Sequence, residues 1–169
     1  LRDMSRRIAT VGYTVLLPNM YYRTGREGHY GYDLAKFRTY DKHRAKMFEV
    51  MNTLTNALVI DDTKGLLDFI DSCDAAAPGA VGCVGYCMSG AFITTVAGRF
   101  PDRFAASVSL YGVWIVTEHE DSPHLLVPQI EGELYYAFAE HDQWVPDNVI
   151  PDLKATLDAN GVPHEIETF

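Results

Sequence analysis

The sequence offers no run of the roughly 18 uninterrupted apolar residues that a membrane helix needs, so no bilayer span is expected. It contains no Cys-x-x-Cys and no His-Glu-x-x-His, the spacings of common zinc sites. Two histidines flank "HEDSPH", His119 and His124, but a solvated loop explains them better than a metal. Positive charge is scarce: 14 Lys and Arg face 23 Asp and Glu, for a net charge of −9. A nucleic-acid partner needs a basic face, so that class is set aside. Cysteine is limited to Cys73, Cys83 and Cys87, an odd number. On a strand, Cys83 and Cys87 lie about 12–13 Å apart, and a disulfide needs Cα atoms within about 7 Å. A reducing, cytoplasmic setting follows from that reading. The N-terminal "LRDMSRRIATVGY" alternates charge and apolar side chains, unlike a signal peptide, and has no initiator Met. There are no repeats, no low-complexity linker and no second-domain boundary in the 169 residues.

What remains is ordinary globular composition, with 47% hydrophobic and 22% charged residues. Met4, Ile8 and Val11 predict a helix over 2–11, closed by Gly12. "YTVLLP" (13–18) reads as a strand buried on both faces. A Gly- and Tyr-rich loop (19–33) leads to helices over 35–57 and 59–76. "AVGCVG" (80–85), "FAASVSLYG" (104–112), "GELYYAFAE" (132–140) and "HEIETF" (164–169) read as strands. "MSGAFITTVAGRF" reads as helix, and so does "PDNVIPDLKATLDANG", with Pro146 and Asp147 at its start and Gly161 at its end. Strands alternating with helices predict an α/β fold: a three-layer sandwich around a mostly parallel sheet, as one domain over 1–169.

One turn stands out. In "VGYCMSGAF", Cys87 follows a strand and precedes a helix, with Gly85 and Gly90 around it. Ligands of open α/β sheets bind beyond the carboxyl ends of the strands. Small neighbours let strand and helix approach closely, so the central side chain projects outward. The Met88 N–H then points where an oxyanion would form, and the helix N-terminus favours a thiolate. Cys87 is therefore the candidate nucleophile. Cys73 and Cys83 read as buried, inert thiols.

"GYCMSGAF" resembles the nucleophile elbow of the dienelactone hydrolases, the cysteine-bearing branch of the α/β-hydrolase fold. The family pattern Gly-Tyr-Cys-x-Gly-Gly has Ser89 at its first trailing Gly here. "LLPNMYYR" resembles the family's strand ending in Pro and Asp-x-Tyr, with Asn19 in place of the Asp. "SLYGV" and "FAEHDQWVP" resemble its Tyr-Gly segment and its Asp-x-x-Val-Pro segment. The resemblance covers nearly the whole chain.

It implies a Cys-His-Asp triad acting on an ester or lactone, with no cofactor and no metal. Asp142 matches the triad acid, with a plain Asx-turn as its competing role. Glu140 is too close to the strand, and Asp147 is explained as a helix cap. For the base, the family uses a loop just beyond the last strand, and the chain ends on that strand. His164 sits at the start of its strand, at the wrong end of the sheet. His141 neighbours Asp142, but consecutive side chains diverge. The base is expected beyond Phe169. The family's central strand, with its second oxyanion donor, is expected before Leu1. By this reading the 169 residues are an internal piece, poorly stable and inactive alone. The pocket rim is expected from Tyr21, Tyr22, Arg23, Tyr111, Trp114 and Trp144, and Arg44 joins Arg23 as a candidate for a substrate carboxylate. Packing is the competing role for each.

Three other readings compete with this one. A class I glutamine amidotransferase needs His-x-Glu near its end, and in His164-Glu165-Ile166-Glu167 the required position holds Ile166. A redox-sensing thiol protein needs a resolving cysteine near Cys87. A hydrolase-like scaffold would bind a small molecule or a protein partner without turnover.

Overall fold

The computed structural model describes all residues, Leu1–Phe169. The chain divides into two compact units, Leu1–Ala77 and Pro78–Phe169.

The first unit is helical. Helices α1 (Arg2–Ala9), α2 (Asp41–Met51) and α3 (Asn56–Asp71) are joined by turns and irregular segments. The helix expected over 35–57 shrinks to α2, because Thr55 starts the next one. Its side chain accepts from the Leu58 N–H at 3.3 Å, satisfying an orphan donor of α3. Tyr13–Pro18 does not form the expected strand. A strand needs a neighbour for its ladder, and the only strands of the chain pair with one another inside the second unit. Tyr13 and Leu17 stay exposed, and Thr14 Oγ1 donates to the Ala75 carbonyl at 2.6 Å.

The second unit carries β1 (Val81–Tyr86), α4 (Ser89–Arg99), β2 (Phe104–Leu110), a 3₁₀ helix (Pro123–Gln129), β3 (Glu133–Phe138), α5 (Val149–Asn160) and β4 (His164–Thr168). The four strands lie in the order β1-β2-β3-β4, and every pair is parallel. This is the expected α/β class. Parallel neighbours need crossovers, and α4 and α5 supply two of them. Both pack on one face of the sheet. There Leu134, Tyr136 and Phe138, alternate residues of β3, meet Ala97 of α4, Val127 and Ile130, and Leu153 and Leu157 of α5. Each fully buried leucine or phenylalanine there contributes about 1.5–3 kcal/mol by leaving water. Helix α5 ends at Gly161, in the left-handed conformation (φ 65°), as its position predicted. Its start differs from expectation. The cap residue is Asn148, whose Nδ2 donates to Asp152, so Asp147 is not the cap.

Because all strands run the same way, their carboxyl ends share one edge. Tyr86, Leu110, Ala137 and Glu167 occupy one register row across it. Cys87 begins one residue beyond that row.

Candidate active site

Cys87 joins β1 to α4 in a left-handed conformation, φ 54°, with its side chain exposed. A non-glycine residue pays about 1–3 kcal/mol there and persists only where its surroundings hold it. They do so through its own peptide groups. The Cys87 N–H donates to the Leu110 carbonyl at 3.1 Å. Its carbonyl accepts from the Gly90 N–H at 2.9 Å and the Val113 N–H at 3.1 Å. The flanking glycines are required by close approach. A Cβ on Gly85 would lie 2.5 Å from the Ser89 carbonyl oxygen, and one on Gly90 would lie 2.4 Å from Gly112 Cα. Only two other non-glycine residues have positive φ: Tyr111 (53°) and Trp114 (58°). Both follow β2, at the same edge of the sheet. Strain thus gathers where the sequence placed the chemistry.

Met88 is the N-cap residue of α4, so its N–H stands at the positive end of that helix. Cys83, on β1, is different from Cys87. Its thiol donates to Ser107 Oγ at 3.2 Å, and burial pushes its pKa up to about 11. It is an inert thiol, as expected.

Asp142 lies four residues past β3, at the same edge. Its Oδ1 accepts the Trp144 N–H at 2.9 Å, and its carbonyl accepts the Val145 N–H at 3.0 Å. That is an Asx-turn, and it fixes the carboxylate. Cys87 and Asp142 leave strands separated by one other strand, a gap of roughly 9–10 Å. Trp144 and Trp114 meet edge to face with centroids 6.4 Å apart, both partly exposed. With half-exposed Tyr111 they line the rim of the carboxyl edge.

No histidine of the chain hydrogen-bonds to Asp142 or Cys87. His141 is exposed beside the acid. His164 pairs in register with Leu134 at the start of both strands, so it sits at the opposite edge, as expected. Its Nδ1 is within 2.8 Å of the Val162 carbonyl. His124 Nδ1 lies 2.7 Å from Ser122 Oγ, and burial lowers its pKa. His43 Nδ1 accepts the Asp33 N–H at 3.0 Å.

The remaining expected site residues belong to the first unit. Tyr22 and Arg23 do not follow a strand, because Tyr13–Pro18 forms none. Arg23 makes a two-pronged ion pair with Asp62, Nη1 and Nη2 each at 2.7 Å from a carboxylate oxygen, and the Tyr22 hydroxyl donates to Asp62 at 3.0 Å. Arg23 thereby holds the Asp62 carboxyl below the usual carboxylate range. These groups line an open groove of about 510 Å³ with Pro18, Asn19 and Leu66. Arg44 pairs with Asp41 at 2.5 Å on the exposed first turn of α2. Both arginines are thus occupied by acids of the chain itself.

Sequence reasoning missed three groups around the elbow. Ser109 Oγ is buried, has no hydrogen-bond partner, and lies against Gly90 and Gly112. Thr94 Oγ1 and the Tyr136 hydroxyl meet at 2.9 Å beneath α4. Tyr136 carried a readable signal: a tyrosine inside an apolar strand needs a partner for its hydroxyl.

The model of the Dienelactone hydrolase family matches residues 1–169. "Protein usf" of Aquifex pyrophilus is 27% identical over 172 residues, covering the whole chain and 65% of that protein. A "Putative carboxymethylenebutenolidase" of Aquifex aeolicus is 23% identical, again over the whole chain and 65% of the relative. The chain thus spans about two thirds of the length of these relatives. Among solved structures, the "Putative Dienelactone Hydrolase" of Klebsiella pneumoniae superposes with a TM-score of 0.80. It is 20% identical, over 99% of this chain and 66% of the other, and shares the fold.

Proposed function

This chain belongs to the dienelactone hydrolase family, and on that premise we propose that the whole protein hydrolyses an ester or lactone of a small molecule through a thioester on Cys87. The observation that carries this reading is the exposed, left-handed Cys87 at the strand-to-helix turn. The Cys87 thiolate attacks the substrate carbonyl carbon. The Met88 N–H is one donor to the oxyanion, and its charge stabilisation is the largest single term expected. The carbon–oxygen bond breaks, and a histidinium protonates the departing alkoxide. The same histidine then takes a proton from water, which attacks the thioester and returns the thiolate. Asp142 holds that histidine's tautomer. Hydrogen bonds of about 3 Å at each ring nitrogen let one imidazole bridge a gap of the size that separates β1 from β3. The base this reading requires is a histidine, and no histidine of these residues hydrogen-bonds to Cys87 or Asp142. Tyr111 and Trp144 border the substrate at the carboxyl edge. The free thiols suit a reducing, cytoplasmic compartment.

The test is aryl-ester hydrolysis by the full-length protein and its Cys87→Ala variant. Loss of turnover in the variant supports the reading, and equal rates overturn it. No turnover by either, together with retained binding of the ester, leaves a hydrolase-like scaffold instead.

A further inference from the structure

Beneath the elbow, hydroxyl groups tie the first turn of α4 to the middle of the sheet. Tyr136 of β3 and Thr94 of α4 are both 0% exposed. Thr94 Oγ1 donates back to the Gly90 carbonyl at 3.1 Å, and the Tyr136 hydroxyl lies 2.9 Å from Thr94 Oγ1. A hydroxyl has one proton. With the Thr94 proton on Gly90, Tyr136 donates to Thr94, giving one directed chain from β3 to Gly90. Gly90 in turn donates its N–H to the Cys87 carbonyl at 2.9 Å. Burial raises the Tyr136 phenol pKa, so it remains a donor at any working pH.

Packing alone does not call for this hydroxyl. Phe138, two residues on, faces the same way and stacks on Tyr136 with centroids 6.1 Å apart. A phenylalanine would fill most of the same space without the cost of burying a polar group. The neighbouring Thr95 gives a contrast. It back-bonds to Ala91 at 2.9 Å without a second hydroxyl. The second bond of Thr94 is therefore particular to the position that reaches Gly90. On the other side, Gly90 is already against Gly112 and Ser109. The first turn of α4 is stopped by β2 and held from β3.

Resting on the reading of Cys87 as nucleophile, we propose that Tyr136, acting through Thr94, is a positioning residue for the Cys87 elbow. The chain fixes the first turn of α4, and with it the direction of the thiolate and of the Met88 N–H. Small misplacements of reacting groups are costly: about 1 Å can lower a rate roughly a hundredfold.

The experiment compares Tyr136→Phe, Thr94→Val, Thr94→Ser, Tyr136→Phe/Thr94→Val and Thr95→Val in the full-length protein. Four quantities are read: kcat and KM for an aryl ester, the rate of Cys87 alkylation by iodoacetamide at a fixed pH, and Tm. Tyr136→Phe and Thr94→Val should each lower kcat about tenfold with KM within about twofold, a split that marks positioning. They should also change the rate at which Cys87 is alkylated at a fixed pH. The double variant should lose little more than either single one, because both break one chain. Thr94→Ser should stay near wild type, and Thr95→Val should lower Tm without changing kcat. A fall in Tm with kcat and the alkylation rate unchanged in Tyr136→Phe and Thr94→Val overturns the proposal. If Tyr136→Phe does not fold, the Thr94→Val and Thr94→Ser pair decides on the same readouts. Cys87→Ala separates the two readings. If it still turns over, the nucleophile reading fails and this one with it. If it is inactive while Tyr136→Phe keeps wild-type kcat and alkylation, only the positioning role fails.

Discussion

Trp144 donates its backbone N–H to the Asp142 carboxylate at 2.9 Å, and in doing so closes the turn that follows β3. The bond uses only Oδ1, an atom that an asparagine also has. Turn geometry and charge at this position can therefore be separated by one substitution.

Asp142→Asn should keep the turn, and Tm should stay within about one degree. Activity should fall by roughly 10⁴ in kcat, the loss seen when a triad acid becomes an amide and the histidine tautomer is lost. Steady-state kinetics beside a thermal melt checks this. Unchanged kcat would reduce Asp142 to a turn former.

Gly85→Ala should destabilise the protein by about 3 kcal/mol, since the new Cβ meets the Ser89 carbonyl at 2.5 Å and Ile93 Cγ2 at 2.6 Å. Gly65→Ala is the opposite case. Gly65 lies inside α3 with nothing within 4 Å of a Cβ. There alanine should add about 0.5–1 kcal/mol by restricting the unfolded chain and favouring helix. Denaturant melts of the two variants should move in opposite directions.

Two of the thiols, Cys87 and Cys83, should react in a fixed order. Cys87 is exposed at a helix N-terminus, so iodoacetamide at pH 8 should reach it first. Cys83, pushed up to about 11, is protonated to all but roughly one part in a thousand at that pH. It should remain unmodified until strongly alkaline pH or unfolding. Peptide mass mapping against time checks the order.

Asp62 ties the acid stability of the first unit to Arg23. Its folded pKa lies below the usual carboxylate value, chiefly through the Arg23 hydrogen bonds. The associated stability is therefore present above the ordinary carboxylate range and is lost as pH falls through the folded pKa. Asp62→Asn should lower Tm by a few degrees at pH 7. The difference from wild type should close as pH falls through the folded pKa, below the ordinary carboxylate range, where the native carboxyl is also protonated. Melts across pH decide it, and a gap that persists in acid would assign the effect to shape instead of charge.

Local signals settled a large part of this protein before any tertiary contact was known. The change from helical to strand periodicity at Ala80, the Gly85-Tyr86-Cys87 turn and Gly161 all reflect short-range sterics, and each appears where its residues demand. The place of Asp142 at the carboxyl end of β3 followed from strand length alone. What the sequence could not settle were properties that need a distant partner. Tyr13–Pro18 has a strand's composition but forms none, because a ladder needs a neighbour. Arg23 looked available for a ligand until folding placed Asp62 against it, 39 residues away. Thr94 and Tyr136 each read as core, and only the packing of α4 on β3 makes them one hydrogen-bonded chain behind Cys87. Backbone preference is written into neighbouring residues, whereas the pairing of charges and hydroxyls is decided only when the chain closes around them.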